Sequence, residues 1–192
     1  IGGNTYSGVI PAVNVGDTVC YRFEATDNSG CNNTTLYPAS NLSPICFVAT
    51  TGITFPYCDN FDSNDLWTDS VVSGSPWELG TPNFGVTNNA LSFPNSWDIE
   101  LNSAYQNNTV SFLTSPVFDF SGAVNANLEF WLNHATDQFG DGVRLEYTPD
   151  GGTTWKTCGI FQDPDATNWY NQANVNSLTS AGWSGNSGGW KK

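Results

Sequence analysis

Apolar and polar residues alternate in short runs along the chain, and the runs are separated by Gly, Pro, Asn and Asp. Within residues 17–26, for example, Val19, Tyr21 and Phe23 share one face of an extended segment. No stretch of about 12 residues shows the apolar repeat at i, i+3, i+4 and i+7 that an amphipathic helix needs. Apolar residues that recur at every second position, with so little helical periodicity, predict an all-β chain.

The runs fall into two blocks, residues 1–50 and residues 51–192, joined by a connector at Thr50 to Pro56. The first block is too short to make a good β-sandwich alone, so we expect it to be the end of one. Many short strands with turn residues between them predict an antiparallel sandwich or jelly roll for the second. The predicted strands are 17–26, 31–37 (returning as a hairpin) and 45–49, then 56–61, 77–79, 89–93, 108–113, 126–131, 142–147 and 154–159.

Charge and composition remove several classes of function. The 192 residues include only 5 Lys and Arg against 18 Asp and Glu, which gives a net charge of −13. Nucleic-acid binding requires cations that displace condensed counterions, so this class is excluded. No apolar run approaches the roughly 18 residues of a membrane helix, and we expect no membrane insertion. Aromatic residues make up 14% of the chain and must be buried somewhere, which argues against disorder.

Cysteine usage indicates the compartment. The chain has five Cys, no C-x-x-C and one His, which argues against a zinc site. We expect at least one disulfide, with buried reduced thiols as the alternative. Cys20–Cys46 is the first choice, because the last strand of the first block could run beside Cys20 if the Pro38–Pro44 loop interrupts the return strand. Disulfides together with low charge predict an extracellular setting. The candidates for bridges are Cys20, Cys31, Cys46 and Cys58.

Both blocks resemble known modules. Gly16-Asp-Thr-Val and Ala25-Thr-Asp-Asn-Ser-Gly30 resemble the closing half of the immunoglobulin-like or fibronectin-like modules of secreted Bacteroidota proteins. Phe55-Pro-Tyr-Cys-Asp-Asn-Phe61 resembles the opening strand of a MAM-like, concanavalin-type jelly roll. That likeness continues through residues 113–122, 128–131, 141–143, 147–155 and 182–190.

The resemblance implies the C-terminal part of an Ig-like β-sandwich followed by a MAM-like jelly-roll β-sandwich that is incomplete at its C-terminus. Two further strands usually follow in that family. We therefore expect an uncovered strand edge, stabilised by more of the chain or by a partner strand, and local fraying near Trp183–Trp190.

The same resemblance implies a function. Such modules occur in surface adhesins exported by type IX secretion, including gliding-motility adhesins, and as appendages of secreted peptidases. We expect a non-enzymatic, extracellular segment of a cell-surface adhesin, with a surface glycan, a protein ligand or the secretion machinery as partner. An accessory domain of a secreted hydrolase and a carbohydrate-binding module remain open alternatives. The second alternative depends on stacking of sugars on Trp67, Trp77, Trp97, Trp169, Trp183 or Trp190.

Two motifs suggest catalysis at first sight. Residues 148–155 match the Asp-box pattern, and we expect Asp150 to accept turn N–H groups, Gly152 to adopt a positive φ and Trp155 to pack beneath the hairpin, a structural role. Residues 185–189 fit G-x-S-x-G, but a serine hydrolase needs a base beside its serine. His134 is the only imidazole and precedes Ser187 by 53 positions, so we predict a glycine-rich turn and no catalytic residue.

Acidic loops offer a calcium hypothesis. Asp59 and Asp62 cluster with Asp65 after the connector, and Asp137 and Asp141 flank Gln-Phe-Gly. Calcium prefers carboxylate, amide and carbonyl oxygens, so Asp59, Asp62, Asp137 and Asp141 are candidate ligands of a structural Ca²⁺ that would brace loops. Solvated turn residues are the alternative.

Two short motifs suggest covalent modification. Asp17-Thr18-Val19 and Asp69-Ser70-Val71 resemble a Bacteroidota O-glycosylation sequon, in which the hydroxyl residue carries the glycan. The resemblance implies glycosylation at Thr18 and Ser70.

Overall fold

The structure is a computed structural model that describes residues 13, 14, 16–26, 33–49, 51–63 and 66–192. Within these ranges the regular structure is β apart from one 3₁₀ turn at Gly85–Thr87, which confirms the predicted all-β class. The described residues form no helix that is long and apolar enough to cross a membrane. The chain divides into two compact units, Ile1–Gly52 and Ile53–Lys192.

Unit 1 is built on one extended segment, residues 18–26, along which two later strands pair in succession. β2 (Phe23–Thr26) pairs antiparallel with β3 (Thr34–Tyr37), which confirms the predicted hairpin. β1 (Thr18–Tyr21) pairs antiparallel with β4 (Ile45–Val48). The return strand is therefore interrupted between β3 and β4, as the two prolines at positions 38 and 44 predict.

Arg22 explains why the extended segment divides into two strands. Its guanidinium donates hydrogen bonds to the backbone carbonyls of Ser40 and Leu42, both in the loop between β3 and β4. The planar guanidinium carries several N–H donors, so it can bind two nearby carbonyls that lie outside the strand ladder. The predicted single strand over residues 17–26 is thus broken at the residue that holds this loop.

Cys20 and Cys46 lie directly opposite each other in the β1–β4 ladder and form a disulfide. Their Cα atoms are 4.1 Å apart, the close spacing of directly opposed strand residues. The first-choice pairing from the sequence is confirmed. Of the other candidates, Cys58 is free and exposed, and Cys31 lies outside the described residues.

We predict that a digest under non-reducing conditions contains a cross-linked peptide pair carrying Cys20 and Cys46, while Cys58 and Cys158 are alkylated. Reduction should destabilise the chain by about 3 to 4 kcal/mol, because the bridge limits the unfolded chain across a separation of 26 residues. Urea denaturation with and without reductant measures this. Recovery of Cys20 as an alkylated thiol without reductant would contradict the pairing.

The described residues of unit 2 form four antiparallel strand pairs. The pair β5–β8 encloses the pair β6–β7 in chain order, and β9–β10 and β11–β12 follow as local hairpins. The strands are β5 (Thr68–Ser73), β6 (Trp77–Gly80), β7 (Ser96–Ile99), β8 (Val110–Thr114), β9 (Glu146–Tyr147), β10 (Lys156–Thr157), β11 (Gln172–Val175) and β12 (Ser180–Gly182).

Several predicted strands of unit 2 are wrong. Residues 56–61 and 89–93 are irregular; Pro56 has no N–H to donate, and the second segment runs directly into Pro94. Residues 126–131 are unpaired within the described structure. The strands β5, β7, β11 and β12 were missed, because their sequences are rich in Ser, Thr, Asn, Asp and Gly and lack a clear apolar alternation.

The core of unit 2 is an aromatic cluster. Tyr170, Val175 and Trp183 are buried, and the Trp183 ring packs edge-on against Tyr170 at 4.5 Å and Phe130 at 5.7 Å between centroids. The Tyr170 hydroxyl accepts a hydrogen bond from the Leu145 N–H (3.1 Å) and donates to the Cys158 carbonyl (2.8 Å). The buried ring therefore joins the backbone on both sides of the β9–β10 hairpin.

We predict that Tyr170→Phe destabilises unit 2 by about 1–3 kcal/mol, because the part-buried amide of Leu145 and carbonyl of Cys158 lose their shared partner. Tyr147→Phe is the matched control, since Tyr147 is half-exposed and its hydroxyl makes no hydrogen bond in the described structure. Urea midpoints of both variants measure the difference. Equal midpoints would show that the hydroxyl does not brace the hairpin.

Candidate functional site

The site begins with the glycine-rich segment, residues 184–191, which contains the G-x-S-x-G match. It runs antiparallel to residues 132–136, with bridges at Leu132–Lys191 and Ala135–Asn186. The preceding residue, Trp183, forms an antiparallel bridge with Val143. The backbone of these residues is hydrogen-bonded to two other parts of unit 2, and fraying near Trp183–Trp190 stays a prediction.

His134 and Ser187 are side by side in this pairing. The Ser187 N–H donates to the His134 carbonyl (2.9 Å), and the His134 N–H donates to Ser187 Oγ (3.0 Å). The 53-residue separation argued against a catalytic pair, and the sequence made no prediction about contact between these two residues. Nothing in the sequence reveals this register, because the glycine-rich segment has no apolar alternation to align.

The side chains of His134 and Ser187 do not form a nucleophile and base. Ser187 Oγ lies 2.9 Å from the Asn133 side-chain oxygen and 3.2 Å from the His134 carbonyl, so its proton is directed at these acceptors. His134 is 7% exposed, and its Nδ1 donates to the Gly185 carbonyl at 2.9 Å. Burial lowers the pKa of His134, with the Gly185 bond acting in the opposite direction. Both groups serve the backbone of the strand pair.

The loop that carries Asp137 and Asp141 packs on the start of the glycine-rich segment. Buried Ser184 donates from Oγ to the Asp141 carbonyl (2.7 Å) and accepts from the Phe139 N–H (2.9 Å). The Tyr105 hydroxyl donates to the Asp141 carboxylate at 3.0 Å. Burial raises the pKa of Tyr105, and the two nearby carboxylates add to this effect. Hydrogen bonds from uncharged donors therefore hold this acidic loop in place.

Asp59 organises the other acidic loop. One carboxylate oxygen accepts from the Tyr57 hydroxyl (2.6 Å) and the Trp67 indole N–H (2.9 Å), and the other accepts from the Phe61 N–H (2.8 Å). Burial raises the pKa of Tyr57, and so does its hydrogen bond to Asp59. Both oxygens of Asp59 therefore have protein donors.

The four candidate calcium ligands do not gather into one group. Asp62 accepts a hydrogen bond from the side-chain amide of Asn60 (2.6 Å), and Asp65 lies outside the described residues. In the part of the chain that the structure describes, no three His, Cys, Asp or Glu side chains lie close enough to hold a metal ion. Calcium binding at Asp59, Asp62, Asp137 and Asp141 stays a prediction.

The Asp-box residues form the turn between β9 and β10. The Asp150 carboxylate accepts from the Thr154 hydroxyl (2.7 Å) and the Thr154 N–H (2.8 Å), and these bonds lower its pKa. Gly152 has φ 91° and donates its N–H to the Thr148 hydroxyl (2.8 Å). Trp155 lies below Gly152 with 48% of its surface exposed, so it covers the turn only in part.

The tryptophans that are exposed are not those proposed as candidates for stacking on sugars. Trp183 is buried, while the indole N–H groups of Trp67 and Trp190 are bonded to Asp59 and Asn89. The two exposed tryptophans are Trp131 and Trp155, which were not among the candidates. The remaining three candidates, Trp77, Trp97 and Trp169, are half-buried, with indole nitrogens that have no partner in the described structure.

The two glycosylation candidates lie on strands. Thr18 is the first residue of β1, and Ser70 lies within β5 opposite Phe112. Both residues are exposed, so a modifying enzyme would find both hydroxyls accessible. Modification at Thr18 and Ser70 stays a prediction.

One carboxylate pair was not anticipated. Glu78 in β6 lies directly opposite Asp98 in β7. Burial raises the pKa of Asp98 to about 6, the charge of Glu78 adds to this, and the Ile99 N–H opposes it. Glu78 accepts a hydrogen bond from the Leu101 N–H at 2.9 Å. Like charges opposed in a ladder destabilise it, so this pair weakens the β6–β7 hairpin when both are ionised.

We predict that Asp98→Asn stabilises unit 2 at pH 7. The pKa of Asp98 is raised in the folded state, so protonated Asp98 favours folding. This contribution to stability is fully present below about pH 4 and is lost as the pH rises to about 6. The gain from Asp98→Asn should therefore shrink below pH 6 and vanish near pH 4. Urea midpoints at pH 7 and pH 4 test this, with Glu78→Gln as a control that removes only the smaller contribution. Equal gains at both pH values would contradict it.

Comparisons with protein family models, with curated proteins and with solved structures find no match for this chain. The function is therefore argued from the chemistry of the residues and from the resemblance described above.

Proposed function

We propose that this chain is a non-enzymatic extracellular segment of a cell-surface adhesin exported by type IX secretion, the group that includes gliding-motility adhesins. The resemblance of its two blocks to an Ig-like module and a MAM-like jelly roll supports this assignment. The all-β fold is compatible with such an arrangement.

The observation that carries the proposal is the Cys20–Cys46 disulfide across β1 and β4. Disulfides form and persist in oxidising compartments, and they are rare in reducing cytosol. This supports an extracellular location.

The hydrogen bonds of Ser187 and His134 support a non-enzymatic role. Acyl transfer by serine requires an imidazole that accepts the hydroxyl proton. Here the Ser187 hydroxyl faces Asn133 and the His134 carbonyl. The ring of His134, the only imidazole, is buried and hydrogen-bonded to the Gly185 carbonyl. A hydrolase role would need both side chains to leave the strand pair that they stabilise.

The exposed surface offers contact groups suited to an adhesin. Trp131 and Trp155 present large apolar rings to solvent, and aromatic rings are enriched at protein interfaces. The net charge of −13 opposes non-specific association with anionic surfaces. A surface glycan or a protein ligand fits this chemistry.

We predict that protease added to intact cells of the producing organism degrades the chain, while a cytosolic protein in the same cells stays intact. Blocking type IX export should abolish this sensitivity, and deleting residues 53–192 should reduce attachment without slowing growth. Western blotting and an attachment assay give the readouts. Protection of the chain on intact cells, or peptide or ester hydrolysis that Ser187→Ala abolishes, would overturn the proposal.

A further inference from the structure

Residues 126–131, the open segment, continue without a turn or bend and make no backbone–backbone hydrogen bond within the described part of the chain. Pairing resumes only at Leu132, whose N–H donates to the Lys191 carbonyl. Apolar side chains of the open segment face solvent, since Leu128 is 61% exposed and Trp131 is 48% exposed. The stretch predicted as a strand thus has no partner strand within the described residues.

A second unpaired segment faces it across a cleft. Ile53 pairs parallel with Phe118, through hydrogen bonds from the Ile53 N–H to the Val117 carbonyl and from the Asp119 N–H to the Ile53 carbonyl. Beyond this point the chains diverge, and residues 54–57 make no backbone–backbone hydrogen bond within the described structure. Residues 54–57, 119 and 121–127 line a cleft of about 710 Å³. Both walls therefore carry free N–H and carbonyl groups.

The side chains around the cleft indicate which kind of ligand fits it. Phe55 and Phe120 are half-exposed, and their ring centroids are 4.6 Å apart. Asp119 is the only charged residue of the lining, and the Ser121 N–H lowers its pKa, so it is ionised at neutral pH. No Lys, Arg or His lines the cleft, and the nearby Lys192 is paired with Glu129 at 3.0 Å. The cleft lining therefore combines apolar and uncharged polar groups with one negative charge.

We propose that this cleft binds an extended segment of a partner protein, one that alternates apolar residues with Lys or Arg, by addition as a β-strand to the open segment. Repeated backbone donors and acceptors on both walls match a peptide backbone, and the apolar rings and Asp119 match its side chains. A second copy of this chain is a poor occupant, since each copy carries −13. The inference depends only on unit 2 and does not require that the chain is an adhesin.

The test uses the intact chain and a pool of nine-residue peptides with Val, Ile or Phe at alternate positions, Thr or Lys between them, and at least two Lys. We expect saturable binding by fluorescence anisotropy that weakens as salt is added. Hydrogen exchange at alternate amides of the open segment should slow on binding. Peptides N-methylated at alternate amides are the control, and one of the two methylation registers should abolish binding.

Two proline variants test the backbone directly. Successive N–H groups of an extended segment point to opposite sides, so only one of Ala126→Pro and Asn127→Pro removes a donor that faces the cleft. Neither N–H is bonded in the free chain, so both variants should keep the wild-type urea midpoint. We expect one of them to weaken peptide binding roughly tenfold and the other to leave it nearly unchanged.

Several results would overturn the proposal. These are no binding from the pool, equal binding of both methylated registers, or equal effects of the two proline variants. If maltohexaose binds and slows hydrogen exchange at the cleft, the cleft is assigned to neutral glycans instead. Concentration-dependent dimerisation that protects residues 126–131 would assign it to a second copy of the chain.

Discussion

Unit 2 depends on the pairing of the glycine-rich segment with residues 132–136. This pairing places Trp183 beside Phe130 and Tyr170, so the aromatic cluster and the strand ladder form together. It also positions Ser184 under the acidic loop, where its hydroxyl bonds the Asp141 carbonyl. Glycines tolerate the positive φ angles found here, including 77° at Gly185, because they have no Cβ. The segment that looks like a catalytic loop joins other parts of unit 2 through isolated bridges.

Scarcity of cations determines how the carboxylates are satisfied. With five Lys and Arg for 18 acidic residues, most carboxylates cannot find a salt bridge, and Asp59, Asp119 and Asp150 instead accept from N–H and O–H donors nearby in sequence. Arg22 is used for backbone carbonyls of its loop. Neutral donors close to the carboxylate make these loops less sensitive to salt than ion pairs would be.

The features that follow from local chemistry were predictable, and those that depend on long-range register were not. The β2–β3 hairpin and the Cys20–Cys46 pair follow from turn residues and from the two prolines around one loop. The contact of His134 with Ser187 could not be predicted, because no local pattern distinguishes one register from its neighbours. The predicted strand over 126–131 has no partner strand within the described residues, because pairing depends on an edge elsewhere. The opposed Glu78 and Asp98 likewise depend on the β6–β7 alignment.

The position of the disulfide also determines how unit 1 responds to mechanical load. A pulling force applied at the two ends of the unit passes from Cys20 to Cys46 through the covalent bridge, so the 26-residue separation between them is not extended. At about 3.4 Å per residue, this withholds about 90 Å of contour length from the stretched chain. The β2–β3 hairpin lies entirely inside that closed loop and bears no tension. A pulled unit would therefore lengthen only through residues outside the bridge.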